Sequence, residues 1–303
     1  MVDPNLQSID HGNWTEKEEF VSMILKTDPL FLNKTYVNFS SELEVIFIIL
    51  SAAEEFLIRS EIRQTWANPM NTNVFSTNKN AMLFVVGRQD AYDEKIQQEH
   101  ALHNDILQID VEETYLNLVY KLLATYKWAT FSFPFAAIVK VDSDVVVRPG
   151  HIIDLIKLHS NPNRLQIACK VNYYVRVTRD YHSRWFISNR SYSPVVLPNY
   201  CSGPLYIIFP FTFTMLWKEI RHHKVFEVED AYITGVLAEA AEIQLLDLDN
   251  FLINNPRKWN CDPEPAGLLT HEMGVRNIQT VIEKLENYSC LSTWQSVLNF
   301  FAT

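Results

Sequence analysis

The sequence predicts an α/β protein in which helices flank a β-sheet. From Glu44 onward, short apolar segments of strand length alternate with amphipathic segments of helical length, which is the pattern of an α/β sheet. The first of them, Val45–Leu50, is apolar throughout and rich in β-branched residues, as expected of a strand that is buried on both faces. A chain of 303 residues, 48% of them hydrophobic, is long enough to bury one large core.

The remaining predicted elements continue this alternation along the chain. Ser51 and Glu54 have the spacing of a capping box, so we expect a helix that extends to about Trp66. The later predicted strands are Ala81–Val86, Ala136–Val141, Leu165–Lys170, Leu205–Phe209 and Ile243–Leu248. The later predicted helices are Thr114–Trp128, His151–His159 and Glu229–Ala241.

Charge and hydropathy argue against two classes of protein. The 26 basic and 36 acidic residues give a net charge of −10 without a basic stripe, so we expect no nucleic-acid partner. No segment reaches the roughly 20 consecutive apolar residues of a membrane span, and no anchor or signal peptide is visible in this sequence. We expect an irregular lead-in over residues 1–40, one folded domain over residues 41–275, and a C-terminal extension of helical character over residues 276–303.

Four scattered cysteines do not have the spacing of a zinc motif. Cys169, Cys201, Cys261 and Cys290 are consistent with two disulfides in a protein of the secretory pathway. Buried free thiols are the alternative, and the sequence does not choose between them.

Asp142 and Asp144 form a candidate site for a divalent cation. They follow the apolar segment that ends at Val141, and in open α/β sheets ligands bind beyond the carboxyl ends of strands. Two hard carboxylate donors suit Mn²⁺ or Mg²⁺, with phosphate oxygens completing the coordination. The alternative is a solvated acidic turn.

Two further pairs of charged residues have both a functional and a structural interpretation. Arg59 and Arg63 lie four residues apart, on one face of the first helix, where they would hold a diphosphate or form ion pairs with acids such as Glu55. Glu229 and Asp230 begin a predicted helix, where they would either cap it or supply a general base. No Gly-rich phosphate loop is present, so phosphate binding would depend on a metal and on arginine.

Several segments, in one consistent order, resemble motifs of the β-1,3-galactosyltransferase and β-1,3-N-acetylglucosaminyltransferase family, to which the fringe enzymes are related. The similarity extends from about Glu42 to Val275. The matching segments are IRSEIRQTW (Ile58–Trp66), DILQIDVEETYLNLVYKLL (Asp105–Leu123), IVKVDSDVVV (Ile138–Val147), YCSG (Tyr200–Gly203) and VEDAYITG (Val228–Gly235).

The resemblance implies a GT-A-like, nucleotide-sugar-binding α/β fold, with a mixed, mostly parallel sheet flanked by helices. It also implies an inverting glycosyltransferase. The expected reaction moves a hexose, galactose or N-acetylglucosamine, from a UDP-sugar to a hydroxyl of a glycan on a glycoprotein or glycolipid, forming a β-1,3 linkage. Mn²⁺ is the expected cofactor, with Mg²⁺ possible, and the expected location is the Golgi lumen or membrane. The alternative is a non-catalytic relative that binds glycans or a partner protein.

The resemblance also implies roles for individual residues. The catalytic base would be Asp230, and the metal ligands would be Asp144, Asp142 and His271. The residues expected at the donor are Arg59, Arg63, Asp110, Lys140, Asp142 and Ser143. Apart from the resemblance, the aromatic and Arg-rich segment 171–200 is expected to form an acceptor wall or lid. The residues expected to contact the acceptor are Trp185, Tyr200, Ser202 and Glu229.

The chain departs from the family pattern near the expected donor site. Ser143 replaces the middle Asp of a D-D-D motif, and the second acid of the D-F-x-D segment is Glu113 or Glu112. Pro204 and Leu205 replace small residues after YCSG. These departures leave the identity of the donor sugar open.

Overall fold

The computed structural model describes residues 21–24, 26, 35, 37, 39–70, 72–161, 164–248, 251–253 and 266–269. Most of the predicted lead-in and all of the predicted C-terminal extension lie outside the described residues, as do His271, Cys261 and Cys290.

A seven-stranded sheet lies at the centre of the described structure, in the order β3-β2-β1-β4-β7-β6-β8. β7 is antiparallel to both of its neighbours, and every other neighbouring pair in this sheet is parallel. Strands β5, β10 and β9 form a separate small sheet. The predicted mixed, mostly parallel sheet is therefore confirmed. The strands are β1 (Val45–Leu50), β2 (Asn80–Arg88), β3 (Ile106–Glu112), β4 (Ala137–Asp142), β5 (Val145–Val147), β6 (Gln166–Asn172), β7 (Tyr200–Ile208), β8 (Gln244–Asp247), β9 (Leu252–Ile253) and β10 (Gly267–Leu269).

The main sheet is buried on both faces. Ile46 and Ile48 of β1 pack into one apolar cluster, and Phe47 and Ile49 pack into a second cluster. Because successive side chains of a strand point to opposite faces, this alternation explains why β1 is apolar at every position. The described helices are α1 (Phe56–Gln64), α2 (Asp93–His103), α3 (Leu118–Ser132), α4 (Pro149–His159), α5 (Thr212–Glu219) and α6, which is π-helical over Ala231–Leu237 and α-helical over Ala238–Ala240.

Some elements differ from those predicted. The sequence pattern did not identify α2, β3 or α5 as separate elements. α2 has one buried residue, Ile96, so it lacks the apolar periodicity by which a helix is recognised. At the start of α1, the carboxylate that accepts the Ala52 amide belongs to Glu55 and not to Glu54. The N-cap residue of α1 is Glu55, which makes no side-chain capping hydrogen bond, and the helix begins at Phe56. The predicted capping box, with Ser51 at the start of the helix, is therefore wrong.

Cys169 of β6 and Cys201 of β7 form a disulfide, with their Cα atoms 5.5 Å apart. The bond joins two neighbouring antiparallel strands, so for this pair the disulfide alternative holds.

Within the described residues, no helix is long and apolar enough to cross a membrane.

Candidate active site

The turn Asp142-Ser143-Asp144 lies at the carboxyl edge of the sheet, between β4 and β5. Asp142 is opposite Leu50, the last residue of β1, and the Ser143 amide donates to the Leu50 carbonyl at 3.0 Å. All three residues of the turn are partly exposed. The sheet register therefore holds both carboxylates at an accessible edge, where ligands of α/β proteins bind.

Lys140 lies beneath this turn and joins it to two other elements. Its side chain is 1% exposed, and its Nζ lies 2.6 Å from Asp142 Oδ1 and 3.6 Å from Glu229 Oε1. The same ammonium donates to the carbonyl of Gly203 in β7. A buried cation is stable only when it is paired and hydrogen-bonded, and these contacts supply both. Lys140 was expected beside a nucleotide, but its ammonium is occupied inside the protein.

Asp230 is the N-cap residue of α6, and its carboxylate packs against β7. Its Oδ1 accepts from the Ala231 amide at 2.8 Å, and a Cβ added at Gly203 would lie 2.9 Å from its Oδ2. The Thr234 hydroxyl donates to the Asp230 carbonyl at 2.6 Å and accepts from the Cys201 amide at 2.9 Å. These contacts fix the start of α6 to the start of β7, which lies at the same edge as the Asp142 turn.

The electrostatics of the site favour proton uptake by its acids. Burial raises the pKa of Glu229, although the charge of Lys140 opposes this effect. Burial and the charge of Glu229 together raise the pKa of Asp230 to about 8. Burial lowers the pKa of Lys140, but the negative charges of Asp142 and Glu229 outweigh it and raise that pKa overall. The pKa of Asp230 therefore lies closer to neutral pH than that of an exposed aspartate.

Tyr115 and Arg184 belong to the surroundings of the site, although sequence reasoning did not single them out. Burial raises the pKa of Tyr115, and the charges of Glu229 and Asp230 raise it further, while Arg184 opposes them. Tyr115 remains 43% exposed, so it lies at the rim of the acid cluster. Its position just after the carboxyl end of β3 was the sequence signal that could have identified it.

The guanidinium groups of the two arginines expected at the donor bind other groups of the protein. Arg59 is fully buried, and its three guanidinium nitrogens donate to Glu99 and to groups of the loop between β1 and α1. Arg63 pairs with Glu99 at 2.7 Å and with Asp105 at 2.6 Å. Asp105 precedes β3, so Arg63 faces the opposite edge of the sheet from Asp142. The structure therefore brings Arg59 to the loop beside the site and does not bring Arg63 there.

Asp110 lies near the carboxyl end of β3 but away from the acid cluster. Its side chain is 54% exposed, and its Oδ1 lies 3.7 Å from Arg88 Nε. Glu113 instead lies in a buried contact, where its carboxylate accepts from the Gly87 amide and from Lys121 Nζ. With β2 and β1 between β3 and β4, the structure does not place Asp110 beside the Asp142 turn.

Of the residues expected to contact an acceptor, Glu229 is buried against Lys140, and the others are accessible. Tyr200 and Ser202 are partly exposed at the start of β7. Burial raises the pKa of Tyr200 to about 12, and the charges of Asp230 and Glu229 contribute, so Tyr200 lies beside the catalytic candidate. Trp185 is 52% exposed in the segment between β6 and β7, with the guanidinium of Arg184 4.5 Å from its ring centre.

The donor set of the Asp142 turn fits a hard divalent cation. Among the described residues, no group of three or more His, Cys, Asp or Glu side chains is arranged to hold a metal, and His271 lies outside them. Magnesium-type sites commonly use one or two carboxylates together with substrate phosphates. Asp142 and Asp144 supply such a pair at a partly exposed edge.

Comparison with known proteins assigns the chain to a family. It is 30% identical to beta-1,3-galactosyltransferase bre-2 of Caenorhabditis elegans over 66% of this chain and 58% of that protein. It is 29% identical to mouse beta-1,3-galactosyltransferase 1 over 62% of this chain and 58% of that protein. It is 27% identical to pig UDP-GalNAc:beta-1,3-N-acetylgalactosaminyltransferase 1 over 76% of this chain and 70% of that protein. The chain thus spans little more than half the length of the first two relatives.

Among solved structures, the glycosyltransferase GlyE of Streptococcus pneumoniae aligns with a TM-score of 0.39 and 14% identity, over 86% of this chain and 63% of that chain. A TM-score this low does not indicate a shared function. The family of this chain follows from its sequence. The profile of the family described as Galactosyltransferase matches residues 58–249, which is more than half of the chain, and the chain accordingly belongs to the galactosyltransferase family.

Proposed function

We propose that this protein is an inverting hexosyltransferase that moves a sugar from a UDP-sugar to a glycan hydroxyl and forms a β-1,3 linkage. One observation carries the proposal: Lys140 joins Asp142, 2.6 Å from its Nζ, to Glu229, 3.6 Å away, and Glu229 is the neighbour of Asp230. A candidate metal and diphosphate turn and a candidate base are thereby held at one edge of the sheet. Membership of the galactosyltransferase family supports the same activity.

In the proposed reaction, Asp230 accepts the proton of the acceptor hydroxyl while that oxygen attacks the anomeric carbon of the donor. The new bond joins the acceptor oxygen to the anomeric carbon, and the bond from that carbon to the UDP oxygen breaks. Attack on the face opposite to UDP gives inversion. The raised pKa of Asp230 makes this carboxylate a better proton acceptor than an exposed Asp.

The charge that develops on the departing UDP requires a positive partner. Asp144 and Asp142 would hold Mn²⁺ or Mg²⁺, and His271 is a further ligand in this proposal. The cation, when bound, neutralises the diphosphate. Lys140 is tied to Asp142 and Glu229 inside the protein, so it positions these carboxylates instead of contacting phosphate directly.

The donor sugar and the location are further parts of the proposal. The printed names of two relatives, from nematode and mouse, are β-1,3-galactosyltransferases, which favours UDP-galactose, with UDP-N-acetylglucosamine as the second donor to be tested. The Cys169–Cys201 disulfide favours an oxidising compartment, in agreement with the expected Golgi location.

The test is release of UDP by the purified protein with a panel of UDP-sugars, Mn²⁺ and mixed glycan acceptors. We expect turnover that is lost with EDTA and falls at least about a hundredfold in Asp230→Asn, because a general base contributes roughly 10²- to 10⁴-fold. Asp154→Asn is the matched control, since Asp154 is an exposed residue of α4. Turnover that survives both EDTA and Asp230→Asn contradicts the mechanism. Glycan binding without turnover by any donor would instead favour the non-catalytic alternative.

A further inference from the structure

The turn at Asp142 has a second connection, which involves Glu55. One oxygen of this carboxylate, Oε2, accepts from Ser143 Oγ at 2.9 Å, from Ser51 Oγ at 3.0 Å and from the Ala52 amide at 2.9 Å. Ser51 and Ala52 belong to the loop between β1 and α1. A single carboxylate oxygen therefore binds that loop to the middle residue of the turn.

A buried cation holds the other side of the same loop. Arg59 Nη1 donates to Ser51 Oγ at 2.9 Å and to the Ala52 carbonyl at 2.7 Å. The Ser51 hydroxyl thus accepts from Arg59 and donates to Glu55. Hydrogen bonds to charged groups are among the stronger ones in proteins, and connected bonds polarise one another. The network from Arg59 through Ser51 to Glu55 fixes the loop at the edge where the Asp142 turn lies.

The hydroxyl at position 143 is what allows the turn to join this network. A serine has a hydrogen to donate to a carboxylate, and an ionised aspartate has none. The backbone of Ser143 is already bound, through its amide, to the Leu50 carbonyl at 3.0 Å. The side-chain bond to Glu55 adds a second connection, which restricts the orientation of the turn relative to the loop.

We infer that Glu55 and Ser143 are a positioning pair that holds the loop between β1 and α1 and the Asp142–Asp144 turn in the arrangement that binds the UDP part of the donor. The inference rests on the proposed function. Neither residue needs to touch the donor for this effect. Fixing a site before its ligand binds improves affinity because less ordering remains to be done on binding.

Calorimetric titration of UDP in the presence of Mn²⁺ tests the pair on the complete chain. We expect Ser143→Ala to raise the Kd for UDP about fivefold to tenfold and Ser143→Thr, which keeps a hydroxyl, to stay within about twofold of the wild type. Glu55→Ala should raise the Kd at least as much, and the double variant should bind no more weakly than Glu55→Ala alone, because the two residues act through one hydrogen bond. Ser60→Ala is the matched control: its hydroxyl accepts from Gln64 within α1, and its Kd should not change.

Melting temperatures of the same variants separate positioning from a purely structural role. A Kd unchanged in Ser143→Ala, or additive effects in the double variant, overturns the inference while the wild type still binds UDP. A lower melting temperature with an unchanged Kd also overturns it. If the wild type does not bind UDP with Mn²⁺, the proposed function itself fails and this inference fails with it.

Discussion

Replacing Gly203 by Ala should impair activity without unfolding the protein. The new Cβ would lie 2.9 Å from Asp230 Oδ2 and 3.3 Å from its Cγ. Ordinary van der Waals contacts of a Cβ begin at 3.4 Å, so the carboxylate must move by about 0.5 Å. The group that moves is the end of a side chain and not backbone, so the fold accommodates the change.

The catalytic cost follows from the size of this displacement. A misplacement of about 1 Å at a reacting group costs on the order of a hundredfold in rate. A movement of half that size is expected to lower kcat by about tenfold. The KM for the UDP-sugar should change little, because the Lys140 bond to the Gly203 carbonyl involves backbone that the substitution leaves in place.

Steady-state kinetics and thermal unfolding check both parts of this prediction. Gly150→Ala is the matched control, because a Cβ added there meets nothing within 4 Å. Since Gly150 lies in the first turn of α4, alanine should leave kcat unchanged and leave stability unchanged or improve it by up to about 1 kcal/mol. A Gly203→Ala protein with wild-type kcat would refute the placement of Asp230 against β7, and one that fails to fold would refute the claim that only a side chain must move.

Other consequences of the site and fold are measurable in the same way. Burial and the charge of Glu229 raise the pKa of Asp230 to about 8. Because a base acts in its deprotonated form, kcat/KM should rise with pH up to about 8 and then become constant. A profile that is already flat from about pH 6 would contradict this. Lys140→Met leaves the buried Glu229 and the partly exposed Asp142 without their cation. It should cost about 3 to 5 kcal/mol at neutral pH, and the loss should shrink in acid as Glu229 takes up a proton. Lys79→Met, at an exposed pair, is its control in urea unfolding and should not change the midpoint. Replacing both Cys169 and Cys201 by Ser removes the disulfide, which closes a loop with a sequence separation of 32 residues, and should lower the free energy of unfolding by roughly 3 to 4 kcal/mol. An unchanged urea midpoint would contradict this.

The parallel part of the sheet could be predicted because its strands have a simple pattern. β1 is apolar at all six positions and fully buried, which is the pattern of a strand covered on both faces. The order of the strands and the reversal of β7 could not be predicted in this way, since they depend on contacts between distant segments. The resemblance to a known family supplied the expectation of a mixed sheet.

The contacts of Arg59 and Arg63 could be predicted only in part from their spacing in the sequence. A separation of four residues placed Arg59 and Arg63 on one face of α1, and both do pair with Glu99. The spacing could not show that acids from α2 and from the residue before β3 occupy these guanidinium groups. The structural interpretation that the sequence left open, ion pairs with nearby acids, describes their contacts, although the acids are Glu99 and Asp105.

The arrangement around Lys140 explains why a buried charge is compatible with this fold. A buried ion pair is weak support for stability, because apolar residues of similar volume are often as stable or more so. Lys140 nevertheless contacts Asp142, Glu229 and the Gly203 carbonyl from a single Nζ. An apolar side chain would fill the same space without fixing any of these three positions relative to the others. The cation therefore links the Asp142 carboxylate, which the sheet register places at this edge, to Glu229 at the start of α6. In this way Lys140 connects the Asp142–Asp144 turn to the start of α6, although Asp142 and Asp230 are 88 positions apart in the chain.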